Sequence, residues 1–318
     1  MTGAFDGLRG GDRRALARAI TLVESTLPAD REAARRLVSE ATPHAGGAIR
    51  VGVSGAPGAG KSTLIDALGT VIVDAGHRLA VLAVDPSSSR TGGSILGDKT
   101  RMATLSRRPE AFVRPSPSGA TLGGVARRTR ESIVLCEAHG ADVVLVETVG
   151  VGQSEIAVAG MTDLFVLLVP PGGGDDLQGI KRGVMELADL VVVTKADGDL
   201  AQAAGRAASD HRAALRLMAP REPACEARVL VTSAATGEGV TALWDAILDA
   251  HATLRGAGAL ARRRSRQDVD WMWDEVRALL AERVSRADPG LIERVTRGVA
   301  DGALPPVEAA ERIVDELG

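Results

Sequence analysis

The stretch IRVGVSGAPGAGKSTLIDALG, residues 49–69, decides the fold. It opens on a short apolar run, passes through a glycine-rich turn and continues as a helix-compatible segment. Gly55-Ala56-Pro57-Gly58-Ala59-Gly60-Lys61-Ser62 fits G-x-x-x-x-G-K-S/T position by position, with Thr63 next. In that spacing the glycines let successive backbone N–H groups turn inward around phosphate oxygens. The helix amino terminus adds partial positive charge, Lys61 has the reach for β and γ phosphates, and Ser62 offers a hydroxyl to Mg2+. A strand before the loop and a helix after it are the context the motif requires, which separates it from a chance glycine-rich turn.

Working outward, the apolar runs AIRVGV, LAVLAV, VVLVE, LFVLLV, LVVV and VLV mark six strands around Val51, Val81, Val144, Val166, Val192 and Val229. Helix-compatible stretches separate them, among them Lys61 to Ala75, Arg127 to His139, Leu177 to Glu186 and Gln202 to Leu217. Buried strands alternating with helices predict an α/β fold: a doubly wound, mainly parallel sheet of the P-loop NTPase kind, covered on both faces. The expected division is an N-terminal helical arm over residues 1–47, the nucleotide domain over 48–256 and a C-terminal helical arm over 257–318. In the first arm Leu16, Ala19, Ile20 and Val23 recur at helical spacing. In the last, a long helix carries Val269, Met272, Trp273, Val276 and Leu279 or Leu280. Trp271, Met272 and Trp273 are adjacent, too many for one helical face to bury, which suggests dimerisation through this arm. The Arg262 to Arg266 cluster reads as a solvated helix face.

Composition narrows the function classes. The 318 residues are 45% hydrophobic and 25% charged with a net charge of -3, so nothing in bulk draws the chain to nucleic acid or an anionic membrane. Aromatic residues are 2%, leaving few platforms for stacking bases. No apolar run approaches the roughly 20 residues that span a bilayer. Cys136 and Cys225 sit in no C-x-x-C pair, which disfavours a disulfide scaffold and fits a reduced, cytoplasmic setting.

A phosphate loop alone leaves ATP and GTP open. Thr194-Lys195-Ala196-Asp197 follows the strand Leu190 to Val193 and resembles the GTPase element N-K-x-D, with Thr in place of Asn. An Asp carboxylate accepts from guanine N1–H and the 2-amino group, neither of which adenine has, so Asp197 argues for GTP; an ordinary strand-end turn is the plainer alternative. Ser233-Ala234, followed by Ala235, resembles the further GTPase element at guanine O6. Glu147-Thr148-Val149-Gly150 stands where such proteins carry D-x-x-G; Glu147 suits water-mediated Mg2+ binding or positioning of the attacking water, or merely a turn cap. Asp85 ends the strand Leu79 to Val84, and Asp98 follows SSSRTGGSILG; both suit the neighbourhood of Mg2+, while Asp98 suits a helix cap equally.

With these residues placed, the chain resembles the MeaB/ArgK family of P-loop GTPases, which includes the human methylmalonic aciduria type A protein. VDPSSSRTGGSILGDKTRM (Val84 to Met102), RPSPSGATLGG (Arg114 to Gly124) and VETVGVGQSE (Val146 to Glu155) carry the likeness. It implies a GTP-hydrolysing chaperone that gates adenosylcobalamin delivery to, and protects, an acyl-CoA mutase such as methylmalonyl-CoA mutase, with GTP/GDP and Mg2+ bound, no tightly held cobalamin, and a homodimeric state. By position it implies that Gly55 to Thr63 form the phosphate loop, that Lys61, Glu147 and Asp98 act in hydrolysis, and that Ser62, Asp85, Asp98 and Glu147 attend the metal. Lys195, Asp197 and Ser233 to Ala235 would meet the base, and PGGGDDLQGIK (Pro171 to Lys181), with Asp175, Gln178 and Lys181, would form a switch toward the mutase. Two other readings share the core. A nickel-insertion GTPase would need a His/Cys cluster, and the five His residues are scattered; a kinase of the older transport-kinase kind would need an acceptor pocket and a base.

Overall fold

The computed structural model describes residues 2–84, 102–115, 122–148, 154–172, 182–285 and 288–316. Asp85, Asp98, Asp175, Gln178 and Lys181 lie outside them. Among the described residues the sheet has seven strands: β1 (Ile49–Gly55), β2 (Leu79–Val84), β3 (Ala111–Arg114), β4 (Val143–Thr148), β5 (Leu164–Val169), β6 (Leu190–Val193) and β7 (Arg228–Val231). They stand in the order β3-β2-β4-β1-β5-β6-β7, every pair parallel. The parallel sheet and its helical connections are as the apolar runs predict, except that of the expected helix Leu177 to Glu186 only Arg182–Met185 falls among the described residues as helix. β3 is additional: AFVR is four residues long with alternating burial, too brief to register as an apolar run.

The helices are α1 (Thr2–Arg9), α2 (Arg13–Glu24), α3 (Pro28–Ala41), α4 (Lys61–Asp74), α5 (Leu122–Ala138), α6 (Ser154–Ala159), α7 (Arg182–Met185), α8 (Ala201–Arg216), α9 (Val240–Gly256), α10 (Ala259–Ser285), α11 (Pro289–Ala300) and α12 (Pro306–Asp315). α4 and α9 pack together and share one apolar core with β1, β5 and β6. Leu64, Ile65, Leu68 and Ile72 of α4 are buried there with Leu243, Trp244 and Ile247 of α9. At about 1.5–3 kcal/mol for each large apolar side chain removed from water, this face fixes where α4 begins. Its beginning is the phosphate loop.

Contacts divide the chain into two compact units, Met1–Ser265 and Arg266–Gly318. In the first, α2 buries Leu16, Ala19, Ile20 and Val23, the residues its periodicity singles out, and packs on α3 and α5. Asp12 caps α2 by accepting from Arg14 N at 2.8 Å. In the second, α11 packs on α12, and Asp288 caps α11 by accepting from the N–H groups of Gly290 at 3.0 Å and Leu291 at 3.1 Å.

The Arg cluster at the start of α10 is a solvated face only in part: Arg262 and Arg266 are exposed, whereas Arg263 and Arg264 turn inward. Arg263 is 5% exposed, and its Nη1 donates to Asp189 Oδ1 at 3.1 Å and to Asp163 O. Arg264 grips Asp163 with Nε at 2.7 Å and Nη2 at 2.6 Å, and also reaches Ala48 O at 2.7 Å. Asp163 and Asp189 immediately precede β5 and β6, where each also accepts a backbone N–H, from Arg50 at 2.9 Å and Phe165 at 2.8 Å. Periodicity in a charged stretch cannot register that two strand starts present buried carboxylates to it.

Candidate functional site

β1 lies between β4 and β5, neither of which follows it directly in the chain, and the crevice beyond the carboxyl ends of the strands is where open α/β sheets bind ligands. Gly55 ends β1 against β5: a Cβ there would lie 2.5 Å from Leu168 O, so no other residue fits this approach. Gly60, at φ +87°, is the N-cap of α4 and supplies no side-chain acceptor. The first N–H groups of α4 are therefore left without a cap, and a helix start in that condition is suited to an anion.

Lys61, the first residue of α4, folds back so that Nζ donates to Gly55 O at 2.7 Å and Ala56 O at 3.1 Å. Burial lowers its pKa, while the carboxylates of Glu147 and Glu155 pull it upward. Ser62 Oγ donates to Glu147 Oε1 at 3.1 Å, which brings the loop and the end of β4 together. Glu147 is 4% exposed, too buried for a turn cap at the surface. Beside it Thr148 Oγ1 donates to Ser54 Oγ at 2.8 Å, locking β4 to β1 next to the loop. Ala56 is half-buried, Pro57 and Gly58 are exposed, Ala59 is buried, and Thr63 points to solvent.

Thr194 through Asp197 stand at the end of β6. Thr194 Oγ1 donates to Ala59 O at 2.7 Å, a bond that joins this loop to the phosphate loop. Lys195 adopts φ +54°, the left-handed region, and its Cε lies 3.8 Å from where a Cβ on Gly60 would be. Ala196 N–H donates to Thr232 O at 3.1 Å. Asp197 Oδ1 accepts from Ser233 Oγ at 2.6 Å. Ser233 is buried, Ala234 half-buried and Ala235 exposed. The phosphate loop, Glu147, the Thr194–Asp197 loop and Ser233 are thus brought to one edge of the sheet.

Two contributors go beyond the sequence reading. Ser233 meets Asp197 through its side chain, a link that needs β6 and β7 to be adjacent before it can be seen. Glu155, 5% exposed in the first turn of α6, adds a second buried carboxylate in the field of Lys61; its only signal is its place in VETVGVGQSE. Cys136 takes no part: it is fully buried, and burial pushes its thiol pKa up. Among the described residues no group of three or more His, Cys, Asp or Glu could hold a metal ion, and no helix is long and apolar enough to cross a membrane.

A phosphate loop is thus joined through Thr194 to the loop bearing Asp197. The model for the family described as methylmalonyl Co-A mutase-associated GTPase MeaB matches residues 16–289. The chain belongs to that family. This MeaB-family protein is 48% identical over 323 residues to the mouse mitochondrial methylmalonic aciduria type A homolog, covering 98% of this chain and 78% of the mouse protein. It is 49% identical over 265 residues to the GTPase ArgK of Escherichia coli, covering 83% and 80% of the two chains. The crystal structure of a LAO/AO transport system kinase superposes with a TM-score of 0.76 at 35% identity, covering 99% of this chain and 96% of the other. The MeaB-family protein is a P-loop GTPase.

Proposed function

We propose that this GTPase is a nucleotide-gated chaperone of an adenosylcobalamin-dependent acyl-CoA mutase, methylmalonyl-CoA mutase foremost, gating cofactor delivery and protecting the mutase. The single observation that carries this is the match of a mutase-associated GTPase family over residues 16–289, supported by the mouse methylmalonic aciduria type A homolog at 48% identity. It acts in the cytoplasm as a homodimer joined through residues 257–318, and holds no cobalamin of its own. Asp175, Gln178 and Lys181 form its partner-coupling switch.

At the nucleotide site, the backbone from Gly55 to Thr63 cradles the phosphates, Lys61 leaves its carbonyl partners for the β and γ phosphates, and Asp197 reads the guanine edge with Lys195 and Ser233 to Ala235 beside it. Ser62 Oγ and Glu147 Oε1, 3.1 Å apart, are hard oxygen donors of the kind Mg2+ takes. Ser62, Glu147, Asp85 and Asp98 would hold the ion, which when bound neutralises charge on the phosphate oxygens. Glu147, with Asp98, orients the attacking water. Ordering of these groups by the mutase speeds hydrolysis.

The test is GTP turnover by the full chain with and without saturating purified mutase, with ATP as the competing substrate. Acceleration of GTP hydrolysis by the mutase is expected; no change at saturation would overturn the chaperone assignment. Phosphoryl transfer from ATP to a small acceptor would favour a kinase instead.

A further inference from the structure

Position 194 carries Thr where the GTPase element N-K-x-D carries Asn, and the structure shows what its side chain does. The residue is 4% exposed. Its hydroxyl lies 2.7 Å from Ala59 O in the phosphate loop and 3.4 Å from Val169 O at the end of β5, while its backbone N–H donates to Val169 O at 2.9 Å. A hydroxyl has one proton to give, and the shorter bond takes it. Ala59 is fully buried, so this bond fixes a part of the phosphate loop that water does not reach. With Ala196 N–H on Thr232 O and Asp197 on Ser233, the base loop is held at three residues, against the phosphate loop on one side and the stretch that follows β7 on the other.

The geometry points to Thr194 as a positioning residue that ties the base loop to the phosphate loop and, by using its only donor for that tie, holds purine affinity down. An Asn amide nitrogen has two protons: one could replace the bond to Ala59 O and the other could go to N7 of the purine. Threonine performs the first task and has nothing left for the second. Because N7 is an acceptor in guanine, hypoxanthine and xanthine alike, the missing contact weakens binding without altering which base is chosen. Choice stays with Asp197. A GTPase built this way releases GDP faster than one with Asn at this position. The inference rests on the guanine-site assignment above and extends it from base identity to nucleotide residence.

The experiment uses the full chain with Thr194→Asn, Thr194→Val, Thr194→Ser and Asp197→Asn, measuring Kd for GDP and IDP, the GDP release rate, and KM and kcat for GTP and XTP. Thr194→Asn should bind GDP about tenfold tighter and release it correspondingly more slowly, with the GDP to IDP affinity ratio within about twofold of the parent. Thr194→Val, of equal volume but without the hydroxyl, should weaken GDP about tenfold and raise KM by more than it lowers kcat, while Thr194→Ser restores affinity to within about threefold. A gain in affinity cannot arise from misfolding, so the Asn variant decides even if the Val variant is unstable. If Thr194→Asn binds GDP no tighter than the parent while Asp197→Asn moves preference from GTP to XTP, the guanine site stands and the inference is overturned. If Asp197→Asn keeps its preference for GTP, the guanine-site assignment itself fails and takes the inference with it.

Discussion

Lys61 presents a cation whose partners in this structure are the carbonyls of Gly55 and Ala56, held near the carboxylates of Glu147 and Glu155. Those carbonyls are weak partners for a partly buried ammonium, and phosphate oxygens are strong ones, so binding nucleotide exchanges poor hydrogen bonds for charge-assisted ones. Replacing Lys61 by Ala removes two or more such bonds at about 1.5–3 kcal/mol each, and GTP affinity or turnover should fall by roughly a hundredfold or more. The measurement is isothermal titration with GDP beside single-turnover hydrolysis, and near-parental values in a folded variant would remove Lys61 from the site. At this scale much was legible in the sequence. The glycines, Lys61 and Ser62 follow one another without a gap, and Asp197 sits at a fixed distance from Lys195. The ties from Thr194 to Ala59 and from Ser233 to Asp197 were not legible, because each joins residues far apart in the chain that meet only after β1, β6 and β7 are in order.

Elements are joined on the far edge of the sheet by a buried charge cluster that the sequence concealed. Asp163 and Asp189 open β5 and β6 and face Arg263 and Arg264 from α10, with Arg221 on Asp189 at 2.7 Å and His251 Nε2 4.0 Å from Asp163. Because three arginines share two carboxylates, deleting one acid leaves a buried cation unmatched, a change that costs about 3–5 kcal/mol. Asp189→Asn should therefore lower the unfolding free energy by that amount in urea, whereas Asp249→Asn, at the exposed pair with Arg228, should cost under about 1 kcal/mol. Equal effects would show that the buried cluster is no stronger than a surface pair. The same cluster bears on pH. Burial, then Arg264 and Arg255, lower the His251 pKa against the pull of Asp163, and burial likewise lowers those of His139 and His211. A depressed folded value means that the unfolded chain takes up protons first as pH falls through the ordinary imidazole value of 6.5. Stability should therefore be level above about pH 7 and decline toward pH 5.5. His251→Asn should flatten that slope in urea midpoints measured across the range; an unchanged slope would mean that His251 is not among the groups responsible.

For the whole molecule, the open question is what covers the apolar residues of α10 beyond Ser265. Val269 is 51% exposed, Met272 50%, Trp273 52% and Leu280 51%, and a soluble chain rarely leaves so many large apolar side chains on one helix uncovered. The sequence announced the element but not its surroundings. Helical periodicity over 269–280 predicts a buried stripe whichever molecule supplies the other side; the exposure of these side chains among the described residues is what the structure adds. A second copy meeting them about a twofold axis would bury the same stripe twice, the self-complementary contact by which most homodimers form. Truncation after Gly258 is a poor test of this, because it would also remove Arg263 and Arg264 from their buried carboxylates. The better variant is Met272→Glu with Trp273→Glu, which keeps α10 helical and its start anchored while placing two charges in the contact. Light scattering should give the mass of a dimer for the parent and of a 32.8 kDa monomer for the double variant. A parent that is monomeric at all concentrations, or a variant that remains dimeric, would place no subunit contact on this stripe.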